Sequence, residues 1–222
     1  EDAMTDPMIV PVGMQRAGSD MFNTVNADVY DEIKKAKKVI LADKFDFAAF
    51  ADAESMLDLE NIDGVQTFAF VCSSDMASIR KNLKDDLKYV EAFAKNGYVG
   101  TVAGVNVYIK KDATPGTIYL ATEEAVTVFN KKGVEVEQVG GNNRSADEAN
   151  KRENHIFTRK YYLAALTDET KDIKITSGTA TASTDTSVSA GKTYYAADGA
   201  GYVIVTPGKN DNPSTKGWYE IA

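Results

Sequence analysis

In 222 residues the sequence has one histidine, one cysteine and no excess of positive charge. Each scarcity removes a class of function. Cys72 alone cannot form an intrachain disulfide or a thiolate zinc site. Its setting, FAFVCSS, is apolar, so it reads as a buried thiol behaving as a small hydrophobe. His155 would have to serve any Ser–His–Asp triad, yet it opens a predicted strand. Neither a G-x-S-x-G elbow nor an H-E-x-x-H helix accompanies it. Ser73 and Ser74 with Asp75 read as a helix cap. The glycines at Gly97–Gly104 and Gly140-Gly141 match neither phosphate-cradling pattern, G-x-x-x-x-G-K-[ST] or G-x-G-x-x-G. The calcium-loop pattern is absent too, and Asp43, Asp46, Asp52 and Asp58 read as solvated helix faces. A glycosidase pair would need two carboxylates to stand out, and none does. The expectation is no enzyme, no cofactor and no metal.

With 25 Lys and Arg against 33 Asp and Glu, the net charge is −8. Sequence-independent binding to nucleic acid needs clustered cations that displace counterions, and anionic membranes ask for the same. Neither partner is expected. No apolar run approaches the ~18 residues of a membrane span, and no signal peptide is visible. The chain opens on Glu1 rather than Met, which suggests processing, proteolysis or trimming.

Hydrophobic residues make up 43% of the chain, enough for a real core in one domain or in a domain plus a small module. Asp6-Pro7 is a plausible helix start, delayed by Pro11. From about Ala17 to Lys38 the period is helical: Met21, Val25, Val29 and Ile33 recur every fourth residue, with Phe22 and Tyr30 widening the stripe. Lys34, Lys35, Lys37 and Lys38 crowd the predicted last turns, where the helix dipole favours them. Asp46–Asp58 reads as a second helix, Asn61–Gly64 as a turn, and QTFAFVC as a buried strand. A third helix follows from Met76, with Leu87–Lys95 as its continuation after a kink.

A β-region comes next. Gly97–Gly100 and Ala103-Gly104 bracket short strands. VNVYIKK (Val105–Lys111) alternates, Thr114-Pro-Gly116 is a turn, and Ile118–Thr122 is a strand. Glu123–Asn130 fits helix or strand. Val134–Val139 alternates, Gly140–Asn154 is a long polar loop, and His155–Leu166 and Ile173–Thr176 are strands. Helices first and strands after argue for an α+β fold with a largely antiparallel sheet. Past Ile175 the composition turns small and hydroxyl-rich, like a linker through Ser187. Lys192–Thr206 reads as a hairpin around Asp198–Gly201 and Trp218–Ala222 as a last strand. Some 35 residues make a poor independent core, so this appendage either leans on the body or is a marginal all-β module. Its aromatic cluster, Tyr194, Tyr195, Tyr202, Trp218 and Tyr219, reads as core, with a sugar site as the other option.

The order of pieces resembles tailed-phage (or prophage) major capsid proteins of the Hong Kong 97 (HK97-like) type. NADVYDEI (Asn26–Ile33) is similar to the end of their long spine helix. FVCSSDMASIRKNL (Phe70–Leu83) resembles a strand, its Ser–x–Asp exit and the helix that follows. GTVAGVNVYI (Gly100–Ile109), ATPGTIYLA (Ala113–Ala121), AVTVFNKKGVEVEQV and YYLAALTDETKDIKI complete a likeness covering roughly residues 20–175.

The resemblance implies an HK97-like capsid fold and divides the chain four ways: a peripheral-domain spine helix at 1–42, an axial domain at 43–125, a peripheral hairpin and return strand at 126–175, and a linker with a small β module at 176–222. It implies a self-assembling shell subunit of hexamers and pentamers enclosing a genome, assembled in the bacterial host cytoplasm and residing in the virion. Partners would be other copies of itself, with scaffolding, portal or decoration proteins. The loop 140–154, with Asn142, Asn143, Arg144, Asp147, Glu148, Lys151 and Arg152, would meet neighbouring subunits. The family's N-terminal arm and extended loop are not seen in this sequence, as in a trimmed fragment. Two alternatives stay open: an encapsulin-like compartment shell, and a secreted carbohydrate-binding or adhesive β protein. An enzyme ranks last.

Overall fold

A computed structural model describes residues 8–57, 59, 65–83, 100–139 and 155–222. The predicted helix start at Asp6-Pro7, the turn Asn61–Gly64, the helix continuation Leu87–Lys95 and the loop 140–154 lie outside the described residues. The chain separates into two compact units, one of residues 1–32 and 127–165, the other of 33–126 and 166–222.

The first unit is built on helix α1 (Ile9–Ile33). It begins well before Ala17, and Pro11 does not delay it. The first helical bond runs from the Val12 amide to the Met8 carbonyl, which makes Pro11 the third helical residue. An amide there has no intrahelical acceptor, so proline loses nothing. Met21, Val25 and Val29 form the half-covered stripe, while Phe22 stands 67% exposed. The helix stops at Ile33, so the four lysines lie beyond it. The same unit holds a two-stranded sheet of β6 (Val126–Val139) and β7 (His155–Leu166). The ambiguous stretch after Glu123 is therefore strand from Val126 onward, as its β-branched Val126, Thr127 and Val128 favour.

The second unit is one ten-stranded sheet in the order β3-β4-β2-β5-β8-β1-β11-β10-β12-β9. Its strands are β1 (Lys38–Leu41), β2 (Thr67–Val71), β3 (Thr101–Val102), β4 (Val105–Ile109) and β5 (Thr117–Thr122). The others are β8 (Asp172–Thr176), β9 (Ala180–Ala182), β10 (Tyr194–Asp198), β11 (Gly201–Val205) and β12 (Tyr219–Ile221). Only β1–β8 and β2–β4 pair in parallel, so the sheet is largely antiparallel as expected. Alternation buries one face. Ile40, Ala69, Val71, Val105, Val107, Ile118, Leu120, Ile173 and Ile175 share a core with helices α2 (Phe47–Met56) and α3 (Ser73–Asn82).

Asp46 caps α2, its Oδ1 accepting from the Ala49 amide at 3.1 Å. Lys38, read as a helix end, lies on β1. Its Nζ donates to the Met56 carbonyl at 2.6 Å and so satisfies the end of α2. The expected cap of α3 is corrected: the N-cap position is Cys72, with no side-chain cap bond. Asp75 sits inside the first turn, buried, and its Oδ2 accepts from the Gly116 amide at 2.9 Å. It ties the Thr114–Gly116 turn to the helix. Asp75→Ala would strand that amide and is expected to cost about 1–3 kcal/mol in a denaturant melt, with Asp75→Asn, which keeps an acceptor, costing less.

Strand β1 and the return strand β8 lie side by side in the large sheet, in register Lys38 to Ile173 through Leu41 to Thr176. Neither belongs to the hairpin unit. The hydroxyl-rich stretch is not merely a linker, because Ala180–Ala182 forms β9 on the sheet edge against β12. The tail is continuous with the body through β11, which pairs antiparallel with β1.

Candidate functional site

Cys72 is buried, with its Sγ 2.8 Å from the Ser74 hydroxyl. His155 is at the start of β7 and stacks on Phe157, ring centroids 6.1 Å apart. Among the described residues no group of three or more His, Cys, Asp or Glu side chains is placed to hold a metal. No described helix is long and apolar enough to cross a membrane.

One carboxylate is unusual. Asp172 on β8 is fully buried, and neither side-chain oxygen has a hydrogen-bond partner among the described residues. Burial pushes its pKa up to about 8, and the neighbouring Ile173 amide offsets only part of that. It lies on β8 opposite Ala121 of β5, with no solvent-exposed surface.

The tail aromatics are brought together in two pairs. Tyr194 and Trp218 are buried with ring centroids 5.9 Å apart. Tyr202 and Tyr219 meet edge to face at 5.3 Å. Strand register puts Tyr195 opposite Tyr219 and on the face of Tyr202. Tyr194 also donates its hydroxyl to Asp185 at 2.6 Å. That bond first, and then Lys192, hold the Asp185 carboxyl below the usual carboxylate range. Lys192 bridges Asp185 and Glu220, both at 3.0 Å. The Ser183 hydroxyl, before Lys192, lowers Glu220. Tyr194 and Trp218 are thus buried beside this polar clasp, while Tyr195, Tyr202 and Tyr219 stay half-buried.

Most of the exposed large apolar side chains among the described residues lie in the first unit, with Phe47, Tyr108 and Ile109 the exceptions. Along α1 and at Met8 just before it, Met8, Ile9, Val10, Val12, Met14 and Phe22 are exposed. On the hairpin, Leu163 is 62% and Val134 58% exposed, with Phe129, Val136, Phe157 and Tyr161 also open. Two-stranded hairpins bury too little to stand alone, and apolar patches of this kind mark interaction sites. The sequence signal for this was the apolar residues on both faces of β6 and β7, where a strand covered on one side would carry them on one face. The candidate contact residues Asn142, Asn143, Arg144, Asp147, Glu148, Lys151 and Arg152 lie outside the described residues.

No protein-family model matches the chain, and no curated protein matches it. Among solved structures it is similar to the capsid structure of the cyanophage P-SCSP1u, at 13% identity and a TM-score of 0.54, over 76% of this chain and 64% of that one. It is similar also to a structure from Mycobacterium phage Che8, at 15% identity and a TM-score of 0.53, over 73% of this chain and 61% of that one. The chain thus spans less than two thirds of the length of either. What it shares with them is the fold, and that fold is one found in a phage capsid.

Proposed function

We propose that this chain is a structural subunit of an icosahedral phage shell of the HK97 type, acting through repeated contact with copies of itself. The observation that carries the reading is the fold likeness to the cyanophage capsid. The exposed apolar side chains of α1 and the β6–β7 hairpin support it, because a surface that is costly in a monomer is useful in an assembly. In this reading α1 is the spine helix, the hairpin belongs with it in a peripheral domain, and the ten-stranded sheet is the body of an axial domain. The loop 140–154 reaches neighbouring capsomers. Hexamers and pentamers enclose the genome, with scaffolding, portal or decoration proteins as further partners, and the mature protein resides in the virion. Nothing in this role requires turnover.

Electron microscopy of the product of the encoding gene, expressed with its neighbours, tests this. Closed shells or ring-shaped capsomers are expected. A product that stays monomeric at every concentration and salt would overturn the reading.

A further inference from the structure

Two hollows flank one short stretch of β7, and their charges are opposite. The first is lined by Asp28, Asp31 and Glu32 of α1 with Tyr162, Leu163 and Ala164. The second is lined by Lys131 and Lys160 with Phe129 and Tyr161, and it shares Tyr162 and Leu163 with the first; Lys160 Nζ lies 5.5 Å from the Tyr162 ring centre. Both lie within the first unit, and the stretch is held by a hydrogen bond from the Tyr162 hydroxyl to Asp28. Each hollow combines open apolar surface with charge at its rim, since Phe129, Tyr161 and Leu163 are all exposed. An apolar centre with a charged rim is how a specific interface is built.

We infer that the acidic rim of this first hollow in one copy meets the basic rim of the second hollow in the next copy. The occupant is a second copy of this chain, because the chain carries both halves of the complementary pair. Two different patches on one molecule make a head-to-tail contact, and such a contact closes into a ring when the rotation allows. The charges fix register and speed encounter, while the apolar side chains supply most of the affinity. This rests on the shell-subunit reading and adds which surfaces meet.

A charge swap tests it. One variant carries Asp31→Lys with Glu32→Lys, the other Lys131→Glu with Lys160→Glu. Asp28 is left in place so that its bond to Tyr162 survives. Sedimentation of the wild-type chain at low salt is expected to show association that weakens at high salt. Each variant alone should associate at least about ten-fold more weakly, since like charges then face each other. Mixed one to one they should associate again, as every contact becomes complementary, and that recovery also shows that both are folded. The inference falls if either variant alone associates like the wild type, if the mixture does not recover, or if the wild type stays monomeric at low salt. Microscopy of the same samples separates the two readings. Wild-type rings that persist in both variants remove this contact and leave the shell role standing. Absence of any wild-type assembly, in the gene product as well, removes both.

Discussion

Gly201→Ala is expected to destabilise the protein by at least about 3 kcal/mol, at the upper end of what overpacking costs. A Cβ at this position would lie 2.4 Å from the Val39 carbonyl oxygen, 2.7 Å from Ile40 Cδ1 and 2.7 Å from Met56 Sδ. The first of these is backbone and cannot rotate away. Strand β11 would have to lift from β1, and β10, β12 and β9 follow β11 in the sheet order. Gly199 is the control. It has a positive φ of 53°, but the nearest atom to a Cβ there is Met56 Cγ at 3.9 Å, so Gly199→Ala meets backbone strain alone and should cost about 1–2 kcal/mol. Thermal melts of both variants, with hydrogen exchange of the amides in 201–221, measure the difference. Equal melting temperatures for wild type and Gly201→Ala would show that β11 does not seat on β1 as described.

The second large effect is a pH dependence from Asp172. In the folded chain its pKa is pushed up to about 8, against an ordinary value of 3.8. Between those two values the folded state keeps a proton that the unfolded state has released. Stability therefore falls as pH rises from about 4 to about 8 and levels off above. The contribution lost across that range is on the order of 6 kcal/mol at most. Asp172→Asn cannot ionise, so its stability curve should lack this decline. The variant gains on the wild type as pH rises, and urea melts at pH 5 and pH 8 read the gain. Parallel curves for the two proteins would mean that Asp172 is hydrated or paired.

Much of this architecture was legible in the sequence, and the failures have specific causes. Helix α2 was signalled by its alanine-rich run, although Asp46, read as part of a solvated face, is in fact its cap, and β7 was signalled by its length and bounds. The C-terminal hairpin was signalled by Asp198–Gly201. Strand β1 was missed because KVIL is four residues long and follows lysines that resemble a helix end. Only tertiary pairing with β8 and β11 makes it a strand. Strand β9 was hidden for a similar reason: Ala-Thr-Ala has little preference of its own and is recruited by β12. The Asp75 tether looked like a cap because the residue type suits both, and only the nearness of Gly116, 41 positions away, distinguishes them. The opposed hollows depend on which residues of α1 adjoin β7, a relation that spans more than 130 residues of sequence.

The position of β1 in the sheet has a bearing on when this protein is ready for use. Its two neighbours are made at different times. β8 ends at Thr176, and β11 starts only at Gly201. At a synthesis rate of about 5–20 residues per second, roughly one to five seconds separate the two. During that interval one edge of β1 has no partner, and an open edge can recruit the wrong strand from a neighbouring nascent chain. Where many copies are made close together, the speed of translation through this stretch becomes a determinant of yield. Slow codons between 177 and 200 would lengthen the exposure and faster ones would shorten it.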